Sequence, residues 1–116
     1  GGDNGKSATN YGEKQVQEVA ATLGKRGLSS AIVIDCSHGN SGKNHQMQAG
    51  VFFEILRQRK TGHSHIVGAM LESYLEEGSQ KISRNRSCLK RGISITDACI
   101  GWEETEKLLK KAYALL

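Results

Sequence analysis

"AIVIDCSHGNSGK", Ala31 to Lys43, is the stretch on which the reading of the fold turns. It begins as an apolar, β-branched run up to Asp35 with no polar alternation. That pattern suits a strand buried on both faces, as in a parallel sheet. A turn rich in glycine and serine follows, carrying His38 and ending at Lys43. Such a turn opens two readings. A phosphate-cradling P-loop requires G-x-x-x-x-G-K-[ST]. Gly42 and Lys43 fit, but Ser37 stands where the first glycine belongs and Asn44 where the metal-binding hydroxyl belongs. The other reading, a strand that delivers a histidine to an active face, fits better.

On either side the chain alternates between two periods. Val16, Val19, Ala20 and Leu23 form one apolar stripe, so Glu13 to Lys25 reads as a helix ended by Gly24 and Gly27. Asn44 to Arg59 reads as a second helix with Met47, Val51, Phe52, Ile55 and Leu56 inward. "HIVGAMLE", His65 to Glu72, is a second buried strand, and "ISIT", Ile93 to Thr96, a short extended piece. Glu103 to Leu116 reads as a third helix with Trp102, Thr105, Leu108, Leu109, Ala112 and Leu116 at helical spacing. Strands alternating with helices imply βαβ units and parallel pairing.

The 116 residues fit one domain or part of one. Apolar content of 37% and charged content of 24% are ordinary for a soluble globular protein. No apolar run reaches the roughly 18 residues of a membrane span, and the polar, glycine-rich N-terminus does not read as a secretory signal. The net charge is +4, with a basic run at Lys81 to Arg91 that reads as a solvated loop. Aromatic content is only 5%, which argues against a nucleic-acid stacking surface. Three cysteines, Cys36, Cys88 and Cys99, with no CxxC pair argue against a disulfide framework or a zinc ribbon and suit a reducing cytoplasm. Cys36 and Cys99 read as small core residues.

In parallel α/β folds active sites gather at the carboxyl ends of the strands. Here those ends deliver His38, Glu72 and Asp97. One imidazole and two carboxylates suit Mn2+, Fe2+, Co2+ or Zn2+. The bland alternatives are a turn histidine, a surface carboxylate and a helix cap.

"DCSHGNSGK" (Asp35–Lys43), "GAMLESYLEEGSQ" (Gly68–Gln80) and "GISITDACIGWEETEKLL" (Gly92–Leu109) resemble the type I 3-deoxy-D-arabino-heptulosonate 7-phosphate synthases. The likeness covers essentially the whole chain. It implies a (β/α)8 TIM barrel, of which residues 1–116 would be a single partial domain. They would supply the sixth helix, seventh strand, seventh helix, eighth strand and eighth helix. It also implies metal-dependent condensation of phosphoenolpyruvate with erythrose 4-phosphate, the first shikimate-pathway step. His38, Glu72 and Asp97 match family metal ligands, and His38 and Asp97 are expected to be catalytic. Lys43 matches a family position without a firm role. The complete enzyme would be a cytoplasmic homo-oligomer, with no nucleic-acid or membrane partner.

The departures are equally specific. Gly1 and Gly2 would be the end of an "RGG" motif whose arginine is missing. The fourth ligand, a cysteine of the first barrel strand, is missing too, and Cys36 is not its substitute. Two strands alone would leave open edges and a bare apolar inner face. The isolated chain is therefore expected to be inactive, and marginal or prone to associate. The alternative is a truncated, non-catalytic piece that binds metal weakly or associates with a full-length homologue.

Overall fold

A computed structural model describes residues 8–116; Gly1 and Gly2, read as the end of the "RGG" motif, lie outside the described residues. The element order is α1 (Glu13–Lys25), β1 (Ile32–Asp35), α2 (Gln48–Lys60), β2 (Ile66–Met70) and α3 (Trp102–Leu115). This is the alternation expected from the two periods. Strands β1 and β2 pair in parallel as a two-stranded sheet. No helix among the described residues is long and apolar enough to cross a membrane.

Local chemistry accounts for the helix ends. Glu13 lies in the first turn of α1 and Lys25 in its last, each complementing the helix dipole. Beyond it Gly27 takes a φ of 68°. The chain then turns back so that the Leu28 N–H donates to the Leu23 carbonyl at 3.0 Å. Only glycine adopts that conformation without cost. The second helix starts later than its periodicity suggests. The Asn44 side chain accepts from the Gln46 N–H, and His45–Met47 form a 3-10 turn ahead of α2. Met47 is consequently exposed rather than inward.

The core joins all three helices to one face of the sheet. Val16 of α1, Val51, Phe52 and Ile55 of α2, and Leu108 and Ala112 of α3 meet Ile34, Cys36, Ile66 and Ile100. Several residues at helical spacing lie outside the core. Val19, Trp102, Leu109 and Leu116 are exposed, because each helix enters the core through a stripe narrower than its full apolar arc. Cys99 is only partly buried, and its neighbour Ile100 takes the core position. "ISIT" forms no strand. Within it, Ser94 makes a single bridge to Ser79. Residues 72–80 and 92–101 instead exchange hydrogen bonds as paired loops. Among these, the Ile100 N–H donates to the Glu72 carbonyl at 2.9 Å and the Gly78 N–H to the Cys99 carbonyl at 2.8 Å.

The strand register carries one irregularity. Ile32 lies opposite Ile66, but Val33 lies opposite Gly68, so Val67 is an extra residue in β2. A bulge of this kind reverses the alternation of faces beyond it. Ile66 is buried, yet beyond the bulge Ala69 and Leu71 pack on the core. The opposite face is bare: Val33 and Val67 are 64% and 61% exposed, and Met70 is partly open as well.

Candidate metal centre

Three side chains from three loops meet at the carboxyl end of the sheet. His38 follows β1, Glu72 follows β2, and Asp97 precedes the bridge residues that lead into α3. His38 Nε2 lies 3.3 Å from Glu72 Oε1 and 3.6 Å from Asp97 Oδ2. One ligand atom from each of the three falls within 4.8 Å of the others. All three line one small cavity, together with Lys43, Gln48 and His45. The convergence expected from the strand ends is thus present, although Asp97 comes from a loop and not from a strand.

The loop after β1 is wound tightly. His38 and Lys43 both have positive φ, 49° and 62°, and the Lys43 N–H donates to the His38 carbonyl at 2.8 Å. The N–H groups of Asn40, Ser41, Gly42 and Asn44 likewise donate to carbonyls within the loop. A P-loop needs such N–H groups free for phosphate. Here they close the turn.

The imidazole is fixed from behind. Its Nδ1 lies 2.7 Å from Asp35 Oδ2 and 2.7 Å from Ser37 Oγ. Asp35 Oδ1 also accepts from the Ser37 N–H at 2.7 Å. With the proton on Nδ1, Nε2 presents its lone pair to Glu72 and Asp97. This is the carboxylate–histidine arrangement that orients metal-binding imidazoles. The hydrogen bond to Asp35, followed by the charges of Glu72, Asp35 and Asp97, holds the His38 pKa above its ordinary value. Burial pushes the Asp35 carboxyl up, but hydrogen bonds from Ser37 and His38 outweigh it and hold the group below its usual range.

Glu72 is held through its main chain. The fully buried Gln48 of α2 donates from Nε2 to the Glu72 carbonyl at 3.1 Å and accepts from the Glu72 N–H at 2.7 Å. A side-chain amide thus satisfies the backbone where regular strand pairing stops. Cys36 is fully buried, and burial pushes its thiol up to about 12. It is a core residue and not a ligand.

Asp35, Ser37 and Gln48 were not singled out from sequence. The signal for Asp35 was present: a carboxylate three residues before the histidine, across a tight turn. Nothing in the sequence marks Gln48, whose role depends on a contact across 24 residues.

The donor set fits a divalent cation. Two ligands about 2.1 Å from a shared cation stand about 3–3.5 Å apart in tetrahedral or octahedral geometry, near the spacing of His38 Nε2 from each carboxylate. Fold and site together describe a parallel α/β protein with one imidazole and two carboxylates gathered at the strand ends.

Comparison with known proteins places that description in a family. Residues 2–110 match the DAHP synthetase I family, and the chain belongs to it. The Tyr-sensitive phospho-2-dehydro-3-deoxyheptonate aldolase of Enterobacter agglomerans is 46% identical over 94% of this chain and 51% of its own length. The Tyr-sensitive aldolase of Escherichia coli is 39% identical over 94% of this chain and 31% of its own. A solved phospho-2-dehydro-3-deoxyheptonate aldolase from Francisella tularensis superposes with a TM-score of 0.85 at 38% identity, over 94% of this chain and 31% of that one. The chain therefore spans between about a third and a half of the length of these relatives.

Proposed function

We propose that this chain forms the metal-binding part of a 3-deoxy-D-arabino-heptulosonate 7-phosphate synthase. In this reading residues 1–116 are a single partial domain, the C-terminal third of a (β/α)8 barrel. The observation that carries it is the meeting of His38, Glu72 and Asp97 within 4.8 Å in a chain of this family. The reaction joins the methylene carbon of phosphoenolpyruvate to the aldehyde carbon of erythrose 4-phosphate, consumes water and releases inorganic phosphate. It would take place in the cytoplasm, in a homo-oligomer of complete barrels.

His38, Glu72 and Asp97 are the ligands, for Mn2+, Fe2+, Co2+ or Zn2+. A cation held there would supply Lewis-acid polarisation of the aldehyde oxygen. Asp35 and Ser37 hold the imidazole in the tautomer that leaves Nε2 free for binding. Gln48 fixes the peptide from which the Glu72 carboxylate projects. Asp97, the most exposed of the three at 69%, lies at the mouth, where an aldose would approach.

The test uses the protein as the cell makes it. Phosphate release that requires both substrates and an added divalent cation, and that is lost in His38→Ala, is expected. No release with any of the four cations, in a preparation containing the rest of the barrel, overturns the reading. The 116-residue chain by itself is expected to bind Mn2+ but not to turn over.

A further inference from the structure

Lys43 stands apart from the other cations of the chain. It lines the same cavity as His38, Glu72 and Asp97. Two carboxylates share that cavity, yet among the described residues the Lys43 ammonium pairs with neither and has no hydrogen-bond partner. Its backbone is also in an unusual place. A φ of 62° is left-handed, a region that a long side chain occupies at a cost of about 1 kcal/mol or more. Glycine would occupy it freely, and the position just before it is a glycine. The strain is held by the Lys43 N–H to His38 carbonyl bond, which closes the turn and ties Lys43 to the histidine. His38 shares the left-handed conformation. One strained loop thus places His38 and Lys43 at one cavity.

The charges indicate what the ammonium is for. Glu72 and Asp97 neutralise one divalent cation and Asp35 adds a negative charge behind the imidazole, so the centre alone offers no net attraction for an anion. Lys43 places a positive charge beside it. We infer that Lys43 is the anion receptor of this cavity, taking a phosphate or carboxylate oxygen of the bound substrate beside the His38–Glu72–Asp97 centre. The inference rests on the functional reading above for the identity of the substrate, but not for the presence of the anion site. A charge-assisted hydrogen bond contributes about 1.5–3 kcal/mol, which corresponds to roughly a 10- to 100-fold effect on affinity.

The experiment compares wild type with Lys43→Gln, Lys43→Arg and Lys43→Gly, purified as the cell makes the protein. Inorganic phosphate, phosphoenolpyruvate and erythrose 4-phosphate are titrated by calorimetry, and Mn2+ is titrated separately by electron paramagnetic resonance. Lys43→Gln and Lys43→Gly are expected to weaken at least one of the three anions at least 10-fold. Lys43→Arg should stay within about threefold of wild type, and Mn2+ affinity should be unchanged throughout. Lys43→Gly relieves the strained φ, so it should be no less stable than wild type; this separates lost affinity from lost folding. The anion that loses affinity identifies the group received. Unchanged affinity for all three anions in Lys43→Gln, or no measurable binding of any of them by wild type, overturns the inference. Failure of wild type to bind Mn2+ sinks the functional reading instead, and leaves the phosphate arm to decide on Lys43 alone.

Discussion

Gln48 and Glu72 are bonded to each other twice, the carboxamide of one giving to and taking from the peptide groups of the other at 3.1 and 2.7 Å. The carboxylate that projects into the cavity is therefore set by a side chain on a different helix. Replacing Gln48 by Leu keeps the volume but leaves the Glu72 N–H without its partner, while the Glu72 carbonyl keeps the Ile100 N–H. An unsatisfied group of this kind costs about 1–3 kcal/mol. Urea unfolding of Gln48→Leu is expected to show a stability about 1 kcal/mol or more below wild type, with weaker Mn2+ binding. A variant as stable as wild type would mean that water replaces the amide without loss.

Asp35 acts one shell further from the cavity. Asp35→Asn removes the charge behind His38 Nδ1 while keeping the shape. Loss of such a partner typically lowers metal affinity about 10- to 100-fold. Calorimetric titration with Mn2+ should show a drop in that range and little change in melting temperature without metal. An undiminished affinity would show that Ser37 alone orients the ring.

Metal addition and removal give a direct reading of the centre. A ligand at about 100 times its Kd stabilises the folded state by about 2.7 kcal/mol. Mn2+ should raise the melting temperature of the wild type, and a chelator should reverse the rise. His38→Ala, Glu72→Ala and Asp97→Ala should each abolish most of it. If all three variants respond to Mn2+ like wild type, the cation binds elsewhere.

Glu54 predicts part of the acid response. The hydrogen bond from Arg57, then that from Gln58, draws its carboxyl from an ordinary 4.5 down to about 2. A carboxyl with a depressed folded-state pKa contributes stability that is present above its unfolded value and disappears as pH falls through its folded value. The contribution should fade between about pH 4.5 and pH 2. In that window Glu54→Gln should show a flatter loss of stability than wild type. Parallel curves for the two proteins would assign the acid response to other carboxyls. The pair is largely solvated, so the difference should be small.

Much of this was legible in the sequence, for identifiable reasons. The strands and helices follow from hydrophobic period, and His38, Glu72 and Asp97 follow from where the apolar runs end. Helical spacing alone does not tell which residues of α3 are buried, because periodicity reports an apolar arc and not the width of the surface it meets; Trp102 and Leu116 lie outside that width. "ISIT" looked extended because β-branched residues suit strands, but its backbone partner is a loop. The support given by Gln48 depends on a contact between two remote segments, and no local pattern encodes it.

The extra residue Val67 sets the alternation with which the chain leaves β2 toward Glu72. Ile66 and Glu72 are an even number of positions apart, so in an unbroken strand both would face the helices. Val67 makes the count odd, and the isoleucine goes to the interior while the carboxylate goes to the cavity. A deletion of one residue between His65 and Met70 would leave composition and hydropathy nearly unchanged. It would force the segment to choose between drawing an unpaired carboxylate under α2 and turning Ile66 out into water. The spacing between those two side chains is therefore information in its own right, separate from their identities, and a chain shortened here by one residue should lose either the meeting of His38, Glu72 and Asp97 or its core.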